Sequence, residues 1–123
     1  MIPSGGELCL SAQRNNLNYN QKLAIESLKR RLAEENYPVG EYIVFGSVAR
    51  GEATEDSDLD LLALTLQPLS HRLKHSIYGI VTEINLEFNT NISLLIVDKY
   101  SWDNGMYSIM SIKNEVEQDG VRI

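Results

Sequence analysis

The chain has 123 residues, of which 43% are hydrophobic, a length that fits one compact domain and leaves little room for a second. Its formal net charge of -6 argues against broad binding to a nucleic-acid backbone, and its single cysteine cannot form an internal disulfide. We expect a cytoplasmic protein, because no apolar run approaches the roughly 20 residues that span a bilayer and the sequence opens without a signal-peptide pattern.

The first predicted elements are an arm and a helix. Residues 1–17 mix glycine, serine, asparagine and glutamine without a sustained period, which predicts a flexible N-terminal arm before a single domain at residues 18–123. Apolar residues then recur at helical spacing, with a cap at Asn18 or Asn20 and an end near Asn36.

The rest of the chain alternates between strands and helices. The pattern predicts strands at 41–45, 59–66 and 92–97, a short helix after the first strand, a long helix from Ser70 to Phe88, and a last helix from Met106 to just before Gly120. The strand at 59–66 is so apolar that we expect it inside the sheet with both faces covered. This order of elements predicts one α/β or α+β domain with a small sheet flanked by helices.

Five acidic residues lie within residues 45–64, four of them between the first two predicted strands and the fifth, Asp60, in the second strand. A phosphate-binding P-loop would need lysine and serine or threonine at the positions of Glu52 and Ala53. A calcium-binding EF-hand loop would need glycine at Leu61 and glutamate at Gln67. The spacing therefore excludes both kinds of site.

Two of the acids lie at a spacing that suits a metal. Asp58 and Asp60 are two residues apart as the second strand begins, so both carboxylates are expected on one face, where they could hold Mg²⁺. Gly46 allows close approach of a ligand to the backbone after the first strand, and Ser47 adds a hydroxyl at the start of the short helix. A triphosphate could lie between this turn and the metal.

These residues carry a family resemblance. The stretches Gly46-Ser47, Ala49-Arg50-Gly51 and Ser57-Asp58-Leu59-Asp60 resemble the signature of the minimal nucleotidyltransferases of the DNA polymerase β superfamily. The resemblance implies a small mixed sheet of the polymerase β palm type, with Gly46 and Ser47 binding the triphosphate and Asp58 and Asp60 holding the metals. It also implies a nucleotide-binding place for Arg50, which could either contact phosphate or brace the acidic loop.

The resemblance breaks at the third carboxylate, which that family takes from the neighbouring strand. The matching position here holds Ser93, and a neutral serine would weaken metal binding and remove a plausible general base. Asp98 lies on the opposite strand parity, while Glu83 and Glu87 belong to the preceding helix. The sequence therefore predicts the fold more firmly than the activity.

Two kinds of function follow from the resemblance. The first is an enzyme that uses Mg²⁺ to transfer a nucleoside monophosphate, AMP from ATP, to a hydroxyl of an acceptor. The resemblance to antitoxins paired with helical HEPN-type toxins implies a tyrosine of such a partner as acceptor, or else a homodimer that completes the site. The second is a catalytically degenerate binding module that masks a HEPN-type partner, and a nucleotide sensor would fall between the two.

Overall fold

The computed structural model describes residues 16–54 and 56–123 of the chain. In chain order the elements are α1 (Tyr19–Glu34), β1 (Val39–Phe45), α2 (Gly46–Arg50), β2 (Leu59–Thr65), α3 (His71–Phe88), β3 (Ile92–Asp98), α4 (Lys99–Asn104), a 3-10 helix (Met106–Ile109), α5 (Ser111–Asp119) and β4 (Val121–Arg122). Most of the predicted arm lies outside the described residues. Leu17 is described, however, and is buried in the main core, so the packed domain begins before the expected boundary at residue 18.

The four strands form one mixed sheet in the order β3-β2-β1-β4. β2 runs antiparallel to β1 and parallel to β3, and β4 runs antiparallel to β1. The parallel pair is joined by α3, because parallel neighbours need a crossover connection. β2 lies inside the sheet with every residue except Asp60 buried, which confirms the prediction from its apolar sequence.

α1 begins at a cap that the sequence predicts. The Gln21 amide donates a hydrogen bond to Asn18 Oδ1 at 2.8 Å, and the Asn18 amide donates one to Gln21 Oε1 at 2.9 Å. This reciprocal pair is a capping box, which satisfies two amides that the first helical turn leaves without partners. The buried stripe of α1, which includes Leu28 and Leu32, then packs into the core.

α3 also has the predicted ends, and its last turn fixes the start of β3. The Leu73 amide donates to Ser70 Oγ at the start, and Asn89 ends the helix in the left-handed conformation with φ +54°. The Asn85 side chain accepts from the Ile92 amide at 2.8 Å and donates to the Ile92 carbonyl at 3.1 Å. No helix in the described part of the chain, α3 included, is long and apolar enough to cross a membrane.

The sheet has two faces that are covered differently. We call the face covered by α1 and α3 the first face; its sheet residues in the main core are Tyr42, Val44, Leu59, Leu61, Ala63, Ile92, Leu94, Ile96 and Val121. We call the opposite face the second face; a smaller buried cluster lies there, formed by Phe45, Leu62, Leu64, Val97, Trp102 and Val116. Alternation along a strand places Asp60 on the second face with Leu62 and Leu64.

The secondary structure after β3 differs from what the sequence predicts. The helix expected from Met106 is interrupted at Met110, whose extended backbone separates the 3-10 helix from α5. Met106, Ile109 and Met110 are exposed, so these apolar residues do not form the buried helical stripe that their spacing suggested. α4 and β4 were also not expected: α4 begins where Asp98 Oδ2 accepts from the Ser101 amide at 3.0 Å, and β4 depends on pairing with β1.

Candidate active site

The turn between β1 and α2 requires glycine for two reasons. Gly46 has φ +78°, a left-handed conformation that residues with a side chain rarely adopt. A Cβ atom at this position would also collide with Asp60 Oδ2, because the turn lies directly against that carboxylate. The sequence-predicted turn and the second predicted aspartate are therefore in contact.

Asp60 is placed by two strand neighbours. It pairs with Phe45 at the end of β1 and with Ser93 near the start of β3. Its side chain is partly buried, whereas Asp58, in the loop just before β2, is exposed. The structure thus brings the end of β1 and the beginnings of β2 and β3 together around one carboxylate.

The electrostatics of Asp60 are those of a crowded acidic site. Burial raises the pKa of the Asp60 carboxyl, the negative charges of Asp58 and then Glu115 raise it further, and the positive charge of Arg50 opposes them. A pKa raised in this way means that the ionised carboxylate is poorly compensated by its surroundings. A bound cation would supply the missing compensation.

Ser47 is the second residue of α2 and is partly buried. Among the described residues no side chain caps the start of this helix, which follows the extended residue Phe45. The chain that leaves α2 is hydrogen-bonded back to the helix, because the Glu52 amide donates to the Ser47 carbonyl at 2.9 Å. The Ser47 hydroxyl and the first amides of the turn are therefore not used by a side-chain cap of the described chain.

Arg50, at the end of α2, is engaged by carboxylates. Its Nε donates to Glu52 Oε1 at 2.9 Å, and its Nη1 lies 3.7 Å from Glu115 Oε1 and 3.9 Å from Asp119 Oδ2. The hydrogen bond with Glu52 is the main cause that raises the pKa of the guanidinium. The sequence left open whether Arg50 contacts phosphate or braces the acidic loop, and within that loop the structure pairs it with Glu52.

The neighbour of Asp60 on β3 is neutral, as the sequence indicated. Ser93 stands in register with Asp60 in the parallel β2-β3 pair, and its side chain is exposed. The other nearby acids are used elsewhere: Asp98 caps α4 and its pKa is lowered chiefly by the Ser101 amide, while Glu83 pairs with Arg31 of α1 at 2.9 Å. Neither acid replaces a carboxylate at position 93.

Sequence reasoning missed Glu115 and Asp119. Both lie on α5, far along the chain from the signature, and no motif or spacing marks them as neighbours of Arg50. Within the described residues, no group of three or more histidine, cysteine, aspartate or glutamate side chains is arranged to hold a metal ion. The described residues therefore supply no third carboxylate beside Asp58 and Asp60.

The turn, the carboxylate pair and the mixed sheet agree with a comparison of the sequence with family models. Residues 25–120 match the model of the nucleotidyltransferase domain, which is well over half of the chain. The chain belongs to the nucleotidyltransferase family. The matched range contains every predicted site residue of this nucleotidyltransferase, while no curated protein matches its sequence.

Solved structures also resemble the nucleotidyltransferase described above. A toxin-antitoxin structure with AMP-PNP has 17% identity and a TM-score of 0.53, covering 80% of this chain and 68% of that one. A mutant of the MntA-HpeT toxin-antitoxin pair, with a tyrosine replaced by alanine, has 19% identity and a TM-score of 0.52, covering 87% and 72%. A Sulfolobus solfataricus protein described as a nucleotidyltransferase has 16% identity and a TM-score of 0.51, covering 98% and 87%.

At these identities the structural similarities establish the shared fold. They confirm the mixed sheet and flanking helices that the signature implied, and the family match confirms the nucleotidyltransferase resemblance itself. The neighbours from toxin-antitoxin pairs are consistent with the minimal branch of the family that the sequence resembles.

Proposed function

We propose that this nucleotidyltransferase transfers AMP from ATP to a hydroxyl of a partner protein in a Mg²⁺-dependent reaction. The observation that carries the proposal is the contact between the Gly46 turn and the Asp60 carboxylate. It joins a backbone that a phosphate can approach closely to an acidic pair that suits a metal. One structural neighbour contains AMP-PNP, which supports an ATP-like ligand for this fold.

Asp58 and Asp60 are the proposed metal ligands. Mg²⁺ is usually held by one or two carboxylates, with substrate phosphates and water completing its octahedron, so a pair of aspartates is a sufficient protein contribution. The raised pKa of Asp60 shows that its negative charge lacks a full counter-charge, which fits a cation site. When bound, Mg²⁺ supplies charge neutralisation for the triphosphate and for the departing pyrophosphate.

Gly46 and Ser47 are the proposed ligands of the triphosphate. The left-handed Gly46 has no side chain to hinder a phosphate, and no side-chain cap from the described residues occupies the helix start, so the Ser47 hydroxyl is available there to donate to a phosphate oxygen. Both residues hold the α-phosphorus close to the carboxylates. The acceptor hydroxyl oxygen then bonds to that phosphorus as the bond to the β-phosphate oxygen breaks, and the hydroxyl proton passes to solvent.

The acceptor is proposed to lie on another protein. After the two carboxylates and the turn are assigned, the single domain offers no further motif for an acceptor. Two structural neighbours are toxin-antitoxin complexes, and one of them carries a tyrosine-to-alanine substitution. These observations support a toxin as partner and a tyrosine hydroxyl as acceptor, and the resemblance of the sequence to antitoxins of HEPN-type toxins is the reason to propose a helical HEPN-type protein as that partner.

Isothermal titration of AMP-PNP with and without Mg²⁺ tests the nucleotide site. We expect binding by the wild type only with Mg²⁺, and loss of that binding in the Asp58→Asn/Asp60→Asn variant. The matched control is Asp56→Asn, which removes an exposed charge from the same loop without removing a proposed ligand. Equal binding by the wild type and the double variant would refute the assignment of these carboxylates.

A second candidate function is a binding module without transferase activity, and Ser93 is the observation that favours it. A serine in register with Asp60 leaves the site one carboxylate short of the pattern seen in the resembling family. Transfer of label from radioactive ATP to a co-purified partner separates the two functions. The enzyme labels its partner and loses labelling in Asp58→Asn/Asp60→Asn, whereas the binding module holds its partner without labelling it.

Ser93→Asp sharpens this test. The new carboxylate would lie beside Asp60 on an exposed position, where it adds a metal ligand and a possible proton acceptor. We expect labelling to increase by about 100-fold, the lower end of what a positioned general base contributes. Labelling that is unchanged in Ser93→Asp would mean that the missing carboxylate does not limit transfer.

A further inference from the structure

The guanidinium of Arg50 lies between acids from two separate parts of the chain. Glu52 belongs to the loop that follows α2, whereas Glu115 and Asp119 are one helical turn apart on α5. α5 packs on the second face through Val116, next to Glu115 in sequence. Two carboxylates of α5 are thereby fixed beside the proposed nucleotide site.

The geometry of the pairs indicates what Arg50 does there. Only the Glu52 contact, at 2.9 Å, has hydrogen-bond length, while the contacts to Glu115 and Asp119 are 3.7 and 3.9 Å. The Arg50 side chain is 35% exposed, and ion pairs of this length and exposure contribute little to stability. Their main effect is on the local potential, where one positive charge offsets nearby negative charges.

That potential matters because the proposed ligand is an anion. A triphosphate bound at the Gly46 turn would be repelled by uncompensated carboxylates on α5, and salt screens such repulsion only over a Debye length of about 8 Å at physiological ionic strength. Glu115 lies 3.7 Å from Arg50, which ends the short helix that begins at Gly46. Neutralising it would therefore reduce the repulsion of a phosphate at that turn.

We propose that Arg50 is a positioning residue that serves the nucleotide site by neutralising Glu115 and Asp119, and that it does not contact the triphosphate. The inference rests on the proposed function, because it concerns the affinity of the same site for Mg²⁺-ATP. It chooses between the two roles that the sequence left open for Arg50. It also makes α5 part of the site, although α5 carries no residue of the signature.

The test is a rescue experiment on AMP-PNP affinity in the presence of Mg²⁺, measured by isothermal titration at low salt. Arg50→Ala should weaken binding by about tenfold, because three acids lose their counter-charge beside an anion site. Arg50→Ala/Glu115→Gln/Asp119→Asn should return to within about threefold of the wild type, since the uncompensated charges are gone. Arg50→Lys should also stay within about threefold, because charge without the planar guanidinium is sufficient.

A matched pair of variants controls for the change in total charge. Glu117 lies on α5, is exposed, and has no ion-pair partner among residues 16–54 and 56–123. Arg50→Ala/Glu115→Gln should regain part of the lost affinity, whereas Arg50→Ala/Glu117→Gln should not. Thermal unfolding of each variant is recorded alongside, and a merely structural role would lower the melting temperature and leave the affinity of the folded protein unchanged.

The outcomes separate this inference from the function on which it rests. If the wild type binds AMP-PNP with Mg²⁺ but the triple variant stays as weak as Arg50→Ala, Arg50 contacts the phosphates directly and the inference is wrong. Affinity equal to wild type in Arg50→Ala would also overturn it. If the wild type itself shows no Mg²⁺-dependent binding, the proposed function fails, and this inference fails with it.

Discussion

The two faces of the sheet differ in depth and in use. On the first face, α1 and α3 help to form a main core of twenty buried residues among those described, while the second face has a buried cluster of six. The proposed ligand Asp58 lies just before the strand that separates the two clusters, and Asp60 is the second residue of that strand and points to the second face with Leu62. The helices that cover this face, α4 and α5, are short.

Because of this difference, we expect the first face to contribute mainly to stability and the second face mainly to ligand binding. Burial of apolar surface provides most of the favourable free energy of folding, so the first face should dominate the free energy of unfolding. A nucleotide and a metal bound as proposed would need room on the second face, which agrees with its shallower cover. Substitutions on the two faces should therefore have different effects on stability and binding.

The largest effect is expected from Leu28→Ala on the first face. Leu28 is 0% exposed, and removing a fully buried leucine side chain costs about 2 to 5 kcal/mol of unfolding free energy. Urea denaturation measures this loss, and the AMP-PNP affinity of the folded protein should stay within about twofold because the change is distant from the site. Leu86→Ala on α3 is the matched control, since Leu86 is 80% exposed and its truncation should be nearly neutral.

A smaller loss of stability and a larger loss of binding are expected from Val116→Ala on the second face. Val116 is buried in the smaller cluster and holds α5 against the sheet. Its truncation should cost about 1 to 2 kcal/mol, because a shallow cluster relaxes more readily around a small cavity. Binding of Mg²⁺-AMP-PNP should weaken measurably, because the carboxylates of Glu115 and Asp119 would shift relative to Arg50. If folded Val116→Ala bound the nucleotide with unchanged affinity, the expectation that packing on the second face supports binding would be wrong.

The smallest effect on stability, and of opposite sign, is expected from Asp60→Asn. Burial and the charge of Asp58 make the ionised Asp60 unfavourable in the free protein, so the neutral amide should stabilise the fold while it abolishes Mg²⁺-dependent binding. Because solvent screens this partly exposed group, the gain should be less than about 1 kcal/mol at neutral pH. Destabilisation by Asp60→Asn would show that the carboxylate makes favourable contacts in the free protein.

The pH dependence of stability provides a second readout for Asp60. The pKa of its carboxyl is raised above the ordinary value of 3.8 in the folded protein, so folded chains bind more protons than unfolded ones between these two values. The unfolding free energy contributed by Asp60 is therefore fully present below pH 3.8 and is lost as pH rises through the raised pKa. Chemical denaturation across this window should show the loss in the wild type and not in Asp60→Asn.

The same contrast explains which elements could be predicted from the sequence. α1 and α3 carry long apolar stripes at helical spacing and have recognisable caps at Asn18 and Ser70, so their bounds follow from local signals. The elements after β3 are short, and exposed apolar residues such as Ile109 fall at helical spacing although they do not form a buried helix face. β4 has two residues and exists only through pairing with β1, which no local pattern reveals.

The candidate site also has one part that the sequence predicts and one part that it does not. Gly46, Ser47, Asp58 and Asp60 belong to one strand-turn-strand unit, so their spacing along the chain was enough to predict that turn and carboxylate meet. The acids that surround Arg50 come from α5, and their proximity depends on how the chain returns across the second face. Long-range electrostatic neighbours of this kind have no signature in a single sequence.

The parallel register of β2 and β3 has a consequence for engineering the site. Residue 93 stands beside Asp60 but belongs to the strand at the edge of the sheet, and its side chain is exposed. A substitution there meets little resistance from packing, so aspartate can replace serine without rebuilding the domain. The charge beside Asp60 can therefore be changed by one residue of an edge strand, while the turn and the aspartate pair stay as they are.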